Sequence, residues 1–488
     1  MSINTTQTIP NNFVRGYEAV IGIEVHVQLK TKSKIFCSDS TTFDAADNEN
    51  TSPVSVGMPG SLPVLNREVV LMAIKTGLAL GCKIREKSVF ARKNYFYPDL
   101  PKGYQISQYD QPTCEHGELY FYVNDYKKTV SITRAHLEED AGKSTHFGQY
   151  TLINYNRAGI PLLEIVSGPD LRSAAEAAEY AKTIRDIVKS LDVCDGNLEE
   201  GSLRCDCNVS VRKIGAEEFG TRVEIKNLNS FRFIEKAVDY EIERQIDSIE
   251  SGTTINQETR LYDPDKNRTF MMRTKEDADD YRYFPDPDLL PILLKSEAIE
   301  KIRKTLPELP IQKSERFQFA LGLSKNDSEV LTSDRTLSEY FESCGQISGN
   351  YKSAANWVMG DLLRELNQNK LTIGDSKISA KNLAELIQLV DQNKISGKIA
   401  KTVFTEMWQT SKSAQNIVDE NGYSQVSDTT AIEKIIDAVI EKNKSQAAEY
   451  KSGKTKVFGF FVGAVMKESK GQANPDVVNE ILKRKLGA

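Results

Sequence analysis

Residues 136–143 (HLEEDAGK) place three consecutive carboxylates between a histidine and a lysine. The segment ends in Gly142-Lys143-Ser144, as a phosphate-binding P-loop does, but Leu137 stands where that motif requires its first glycine. Three acids beside a bare phosphate would repel it. A nucleotide here therefore needs a divalent cation, because hard cations take oxygen ligands from carboxylates and substrate phosphates together. The segment predicts an ATP-using site that is not a P-loop.

A second group of candidate ligands lies in residues 20–29 (VIGIEVHVQL), where apolar and polar residues alternate strictly. The alternation predicts a strand with one apolar face, and Glu24 and His26 share the other face about 7 Å apart. At that separation both side chains can reach one bound ion, directly or through water. The alternative is the solvated face of a half-buried strand, where a glutamate and a histidine need no functional explanation.

Two further strand-like segments present acids and bases from one face. Residues 203–212 place Arg204 and Asp206 on a polar face, and residues 222–226 do the same for Glu224 and Lys226. Several strands of this kind side by side would build a sheet-lined phosphoryl-transfer site. They would equally build a charged, solvated sheet surface.

Residues 92–99 (RKNYFYPD) combine cations, a carboxamide and three aromatic rings before a proline, in a predicted loop. Lys93, Asn94 and Tyr97 suit a nucleotide or an RNA end, through phosphate pairing and ring stacking. The alternative is that the aromatic residues anchor the loop to the core.

The elements that must position these residues predict an α+β protein. From about residue 17 to 291 the pattern is mostly strand-like, with one clear helix that begins at the capping box of Ser173 and Glu176. Beyond residue 295 the periodicity is helical throughout. We expect a domain based on an antiparallel sheet over residues 1–295, an all-α domain over 296–410 and a small all-α tail over 411–488.

Composition narrows the class of protein. The 488 residues carry a net charge of −6, which argues against a general nucleic-acid coating protein, although residues 442–488 hold ten Lys or Arg against four acids. The N-terminus has no signal- or transit-peptide pattern, and the apolar runs are far shorter than the ~18 residues of a membrane span. We expect a cytoplasmic protein without a membrane segment.

Seven cysteines are scattered along the chain, and the closest pair is Cys205-x-Cys207. This pair is one candidate half of a metal clip. Both residues fall on the apolar face of their alternating strand, however, and free cysteine is among the most buried residue types. We therefore predict two buried core thiols rather than a disulfide framework or a clip.

Together these segments identify the chain as similar to the GatB family, the B subunits of the Asp/Glu-tRNA amidotransferases, along nearly its whole length. The resemblance is carried by residues 21–29 (IGIEVHVQL), 92–99 (RKNYFYPD), 104–112 (YQISQYDQP), 136–146 (HLEEDAGKSTH), 161–170 (PLLEIVSGPD), 199–208 (EEGSLRCDCN) and 224–230 (EIKNLNS).

The resemblance implies an enzyme that uses ATP and Mg²⁺ to phosphorylate the side-chain carboxylate of Glu or Asp misacylated onto tRNA-Gln or tRNA-Asn. Ammonia from an amidase subunit, GatA, then displaces the phosphate, and a small subunit, GatC, completes a heterotrimer. The implied fold is a sheet-based cradle, a helical domain and a helical tail that grips the tRNA. Whether Glu-tRNA, Asp-tRNA or both are used stays open. The alternative function is a non-catalytic tRNA-binding scaffold.

The resemblance also assigns individual residues. It implies metal binding by His26, Glu139 and Glu164. It implies nucleotide contacts from Lys93, Asn94 and Tyr97. The catalytic candidates are Glu24, Lys93, Arg204 and Asp206, of which Lys93 and Arg204 would contact phosphate.

One departure concerns a zinc clip, C-x-C followed by C-P-V-C, that many family members carry near the first strand. The corresponding residues here are Cys37-Ser38-Asp39 and Ser52-Pro53-Val54-Ser55, so one of four ligands remains. Structural zinc normally takes four protein ligands. We expect no zinc.

Overall fold

The computed structural model describes residues 13–274, 281–423, 429–451, 454–469, 473 and 475–487. The chain divides into two compact units, Met1–Ile311 and Gln312–Ala488.

The first unit is built on a ten-stranded sheet in the order β15-β14-β13-β12-β2-β11-β8-β7-β3, with β1 paired to β2. Neighbours are antiparallel except β13 and β14, which run parallel. The strands are β1 Phe13–Val14, β2 Tyr17–Gln28, β3 Lys83–Ile84, β4 Lys87–Ser88, β5 Ala91–Asn94, β6 Tyr104–Ser107, β7 Cys114–Val123, β8 Tyr126–Glu139, β9 Lys143–Phe147, β10 Tyr150–Asn154, β11 Pro161–Ser167, β12 Leu203–Lys213, β13 Val223–Lys226, β14 Glu258–Asp263, β15 Arg268–Thr274, β16 Phe284–Pro285 and β17 Ile292–Leu293. Smaller sheets pair β9 with β10, β5 with β6 and β16, and β4 with β17.

Helices cover the apolar face of the large sheet. They are α1 Arg67–Ala79, α2 Ala174–Ser190, α3 Phe231–Glu250 and α4 Ser296–Arg303. Strand β2 shows why this face is apolar, because Ile21, Val25 and Leu29 are fully buried in the core that the helices share. The predicted alternation in β2 is confirmed, and it leaves the opposite face of the sheet to polar side chains.

Ser173 caps the start of α2 as predicted, but the reciprocal bond of the predicted capping box, from the Ser173 N–H to Glu176, is replaced by one from Arg172. The Ser173 hydroxyl accepts a hydrogen bond from the Glu176 backbone N–H at 3.2 Å, and the Glu176 carboxylate accepts one from the Arg172 N–H at 2.8 Å. Two backbone donors at the helix start are thereby satisfied. The helix then buries Tyr180 and Ile184 against the sheet.

Strand β12 confirms the prediction for the paired cysteines. Cys205 and Cys207 are both buried and both free, in the same apolar layer as the helices. Burial raises the pKa of both thiols, so each stays protonated as a small core residue.

The second unit is helical over the residues that the structure describes. Its α-helices are α5 Pro310–Leu321, which starts within the first unit's last residues, α6 Lys325–Thr332, α7 Arg335–Ser348, α8 Tyr351–Trp357, α9 Leu363–Gln368, α10 Ala380–Asp391, α11 Gly397–Thr410, α12 Ala414–Asn421, α13 Thr429–Lys442, α14 Lys444–Lys451, α15 Phe458–Glu468 and α16 Pro475–Leu486. A π-helical turn, Val358–Leu362, joins α8 to α9. The α+β class predicted from the sequence is confirmed.

Two separate hydrophobic clusters lie within this second unit. One includes Phe341 and Leu386, and the other includes Ile432 and Phe461. The first compact unit extends to Ile311 and includes α4, whose Ile299 is buried in the core that the sheet shares with its helices. The division into three domains stays a prediction. None of the described helices is long and apolar enough to cross a membrane.

Candidate active site

A cavity of about 870 Å³ lies on the polar face of the large sheet. Strands β2, β8, β11, β12 and β13 each contribute residues to its lining, most of them at alternate positions. The strand register aligns them in rows, since Glu164 stands opposite both His26 and His136, and Asp206 stands opposite Glu24. The sheet thus gathers residues that are far apart in the sequence.

The first cluster in the cavity joins His26, His136, Glu138 and Glu164. The His26 Nε2 atom lies 3.6 Å from Glu138 Oε1 and 3.5 Å from Glu164 Oε2. The His136 Nε2 atom lies 3.4 Å from the same Glu164 oxygen. Ligand atoms of His26, Glu138 and Glu164 all fall within 4.8 Å of one another, which suits one metal ion.

Charge within this cluster is strongly perturbed. Burial opposes a proton on His26, but the hydrogen bond to Glu164 and the charges of Glu164, Glu138 and Asp206 outweigh it and raise its pKa to about 9. Burial and the charge of Glu164 raise the pKa of Glu138. The pKa of Glu164 is held well below its usual range, because His136 and His26 together overcome its burial. Perturbed groups converging in a cleft are typical of a functional site.

The structure places one predicted metal ligand apart from the other two. Glu139 does not join His26 and Glu164, and Glu138 takes that place. The reason is strand alternation, because His136 and Glu138 face the cavity whereas Leu137 and Glu139 do not. The Glu139 carboxylate instead pairs with the Lys102 ammonium and accepts a hydrogen bond from the Ile106 N–H at 2.8 Å.

Arg204 lines the cavity and is held by an acid from another segment. Its Nη2 atom donates to Asp140 Oδ2 at 3.0 Å, and Arg157 Nε lies 3.4 Å from the same oxygen. Asp140 raises the pKa of Arg204 further. Asp140, the third acid of the triplet at residues 138–140, therefore positions the Arg204 guanidinium.

A second acidic cluster combines Glu24, Asp206 and Glu224, whose ligand oxygens also lie within 4.8 Å of one another. Lys226 Nζ lies 2.5 Å from Asp206 and 3.4 Å from Glu224. Asn208 donates to Glu24 at 3.0 Å. Burial alone would lower the pKa of Lys226, but the surrounding carboxylates raise it. This cluster offers oxygen ligands only, which suits a hard cation.

Aromatic rings form one wall of the cavity. Tyr109 and Tyr283 stack at 4.3 Å with an interplanar angle of 9°. Lys93 lines the cavity with its Nζ atom 4.6 Å from the centroid of the Tyr281 ring. This is a cation–π contact, which holds the ammonium without neutralising it.

Two of the predicted nucleotide-binding residues are placed elsewhere. The Asn94 amide donates to the backbone carbonyls of Arg282 at 2.9 Å and Tyr281 at 3.2 Å, so it ties two segments together. Tyr97 is half exposed and is not among the cavity-lining residues, although it lies near the ring of Tyr95. Of this predicted set, the structure brings only Lys93 to the cavity.

Sequence reasoning missed Glu138, His136 and the inclusion of Glu224 in a cluster. The signal for the first two was present, because Arg134, His136 and Glu138 occupy alternate positions, which lie on one face of a strand. The grouping of Glu224 with Glu24 depends on the strand order β13-β12-β2, which periodicity does not give.

A smaller groove of about 250 Å³ adjoins the cavity and shares Glu24, Val166 and Arg222 with it. Its lining is mainly apolar and includes Gly22 and the largely exposed ring of Phe219. The groove extends the same sheet face beyond the second acidic cluster.

The residues at the zinc-clip positions form a hydrogen-bonded group. Ser55 donates to Asp39 at 2.6 Å and accepts from the Ser52 N–H at 2.9 Å, and buried Lys34 lies 3.8 Å from Asp39. Burial raises the pKa of the Cys37 thiol. One protonated thiol, one carboxylate already engaged by a lysine and two hydroxyls do not fit the ligand set of structural zinc.

Comparison with known proteins gives matches along both units. Residues 19–300 match the family model described as the GatB/GatE catalytic domain, and residues 339–486 match the one described as the GatB domain. A protein of Bdellovibrio bacteriovorus, named as the B subunit of an aspartyl/glutamyl-tRNA(Asn/Gln) amidotransferase, is 66% identical over 97% of this chain and 99% of its own length. Proteins of the same name from Geotalea daltonii and Geobacter sulfurreducens are 57% and 56% identical over 96% of this chain and 99% of theirs.

Proposed function

Because the chain belongs to the GatB family, we propose that it is the component of an aspartyl/glutamyl-tRNA(Asn/Gln) amidotransferase that activates the misacylated amino acid. In the first step a side-chain carboxylate oxygen of Glu or Asp on the tRNA attacks the γ-phosphorus of ATP, and ADP leaves. In the second step ammonia attacks the resulting acyl phosphate, and inorganic phosphate leaves. The products are Gln-tRNA-Gln or Asn-tRNA-Asn.

The observation that carries this proposal is the presence of two acidic clusters and several fixed cations in one cavity. Phosphoryl transfer depends mainly on positioning and on offsetting negative charge, and this cavity has the groups for both. Three acids in one cluster and two acids with an imidazole in the other are donor sets that fit Mg²⁺ or Mn²⁺. Divalent ions bound there would offset the charge of the nucleotide's phosphates.

The chain's own residues then have distinct tasks. His26, Glu138 and Glu164 would hold one ion, and Glu24, Asp206 and Glu224 the other. Lys93 and Arg204 are available to contact phosphate oxygens, since both line the cavity. Asp140 keeps the Arg204 guanidinium in place.

The nucleoside of ATP fits best in the groove beside Glu24. Its apolar lining and exposed Phe219 ring suit a purine, and its position puts the phosphates next to the second acidic cluster. Asn94 and Tyr97 would then act through loop structure rather than through nucleotide contact.

The partners follow from the proposed reaction. Ammonia must come from a glutaminase, so we propose a heterotrimer with an amidase subunit, GatA, and a small subunit, GatC. The tRNA would be gripped by residues 411–488, which end in a segment rich in Lys and Arg. We place the complex in the cytoplasm, where aminoacyl-tRNA and ATP are made.

The test is amide formation by the assembled complex on Glu-tRNA-Gln and on Asp-tRNA-Asn, with and without ATP. We expect glutamine-dependent amidation only with ATP and a divalent ion. The His26→Ala variant should lose amidation while its partner still hydrolyses glutamine. Full amidation by this variant would contradict the site. If the chain is instead a non-catalytic scaffold, ATP will not bind to it and variants of both acidic clusters will stay active.

A further inference from the structure

We propose that Arg134 binds the side-chain carboxylate of the misacylated amino acid, and so positions the oxygen that receives the phosphoryl group. The inference rests on the proposed function and goes beyond it by naming the group that holds the acceptor. The group that Arg134 would recognise is a planar anion, the carboxylate, at the floor of the cavity.

The strand register puts Arg134 beside the first acidic cluster and two strands away from Glu24 of the second. Arg134 is two residues before His136 on β8, on the same face, and so about 7 Å along the strand from the row that contains His26 and Glu164. Across the sheet Arg134 stands opposite Val166, which stands opposite Glu24. With strands about 4.8 Å apart, the Arg134 and Glu24 backbones are about 10 Å apart, with an apolar valine between them.

Arg134 is half-buried, and the buried part of its guanidinium lacks a partner. Its Nε atom is buried and has no hydrogen-bond partner within the part of the chain that the structure describes. No carboxylate among those residues forms an ion pair with it. The nearest candidate, Glu115, stands opposite Arg134 on β7 but pairs with Arg85 at 2.7 Å.

In contrast to Arg134, the neighbouring cations Arg204 and Lys226 form ion pairs. Arg204 is paired with Asp140, and Lys226 with Asp206 and Glu224. A buried charged donor left without an acceptor destabilises a protein, so its retention in a cavity indicates an external anion. The positive charge of Arg134 also opposes the rise that burial causes in the pKa of Tyr283, which places the guanidinium near that cavity wall.

Lys93 and Arg222 are the other cavity cations for which the described residues show no ion pair. Arg222 is exposed, and Lys93 is less suited to a carboxylate. Its ammonium lies on the Tyr281 ring and presents a point charge. A guanidinium presents a planar fork that matches both oxygens of a carboxylate. An acceptor carboxylate bound by Arg134 would lie on the β8 side of the same cavity, next to the first acidic cluster.

The experiment compares Arg134→Gln, Arg134→Lys and Arg134→Ala in the assembled complex with a matched control, Arg185→Gln. Arg185 lies on α2, on the apolar side of the sheet and outside the cavity lining. Amidation is measured with separate titrations of Glu-tRNA and ATP. Thermal unfolding and the partner's glutamine hydrolysis establish that each variant is folded and assembled.

We expect Arg134→Gln to raise the KM for Glu-tRNA at least tenfold and to change the KM for ATP less than twofold. Arg134→Lys should recover part of the loss, and added guanidinium ion should restore part of the activity of Arg134→Ala. The Arg185→Gln complex should match the wild type. A rescue of this kind would not follow from a merely structural role.

Three results would overturn the inference. An increase in the KM for ATP alone would show that Arg134 binds the phosphate rather than the carboxylate. Unchanged kinetics in Arg134→Gln would show that it binds neither. A folded Arg134→Ala complex that is inactive and not rescued by guanidinium or by Arg134→Lys would show a packing role. A wild-type complex that does not phosphorylate Glu-tRNA would refute the proposed function itself.

Discussion

Single substitutions of Glu138 and of Glu139 by glutamine should distinguish the different roles of these two adjacent residues. Glu138 lies with its Oε1 atom 3.6 Å from His26 in the first acidic cluster. Glu139 lies on the other side of the strand, paired with Lys102, and both of their side chains are at least nine-tenths buried. We expect Glu138→Gln to weaken metal binding and Glu139→Gln to weaken the fold.

The expected size of the first effect comes from charge. Two unit charges about 4 Å apart attract by about 4 kcal/mol at an effective dielectric constant of about 20. Burial raises the pKa of Glu138, so keeping its charge already costs free energy and the net loss is smaller. We expect about 2–3 kcal/mol of metal-binding free energy, or roughly 30- to 150-fold in Kd. Without metal, the variant should be no less stable, because repulsion with Glu164 is removed.

The second effect comes from breaking a buried ion pair. Removing one partner of such a pair costs about 3–5 kcal/mol, because the remaining charge is left uncompensated. Glu139→Gln should therefore lower the unfolding free energy of the metal-free protein by about that amount, with its metal affinity nearly unchanged.

The assay is a Mn²⁺ titration followed by electron paramagnetic resonance, with thermal unfolding in chelator for both variants. The two variants are each other's control. An equal loss of metal affinity in both would refute the assignment of Glu138 to the cavity and Glu139 to the structural pair.

Three further predictions follow from other parts of the chain. The first prediction restores the clip cysteines by the combined substitutions Asp39→Cys, Ser52→Cys and Ser55→Cys. Metal analysis should find one zinc per chain in this variant and none at these positions in the wild-type chain. A folded variant without zinc would contradict the placement of these positions. The second prediction replaces three exposed or half-exposed cations of the tail by glutamine, namely Lys451, Lys467 and Lys483. The slope of log K against log salt for tRNA binding should fall by about 1 for each phosphate that is no longer neutralised. An unchanged slope would show that the tRNA binds elsewhere. In the third prediction, Cys205→Ser lowers the unfolding free energy by about 1–3 kcal/mol, because it buries a hydroxyl in an apolar layer. Cys205→Ala should lower the unfolding free energy less. A denaturation experiment in which Cys205→Ala is the less stable variant would contradict the assignment of Cys205 as a core thiol.

The sequence was sufficient for features that depend on local periodicity. The alternation in β2 predicted its buried face, the capping box predicted the start of α2, and the apolar phase of β12 predicted buried cysteines. Helical spacing likewise predicted the class of the second unit. These features are fixed by residues two to four positions apart, so one sequence contains them.

Features that depend on strand order could not be predicted from the sequence. The pairing of Arg204 with Asp140 joins β12 to the end of β8, and the Glu24 cluster needs β13 beside β12. The prediction of Glu139 rather than Glu138 as the neighbour of His26 and Glu164 differs from the structure for another reason. It came from resemblance and ignored the alternation of β8, which places the two carboxylates on opposite sides of the strand.

The most direct measurement of the central claim is transfer of label from [γ-³²P]ATP to Glu-tRNA by the complex when no ammonia source is present. Labelled aminoacyl-tRNA should form with wild-type protein and Mg²⁺, disappear as free phosphate when ammonia is added, and be absent in Glu138→Gln at low Mg²⁺. Amidation without any labelled tRNA intermediate, or full labelling by the variant at low Mg²⁺, would contradict a phosphorylating site built on these acids.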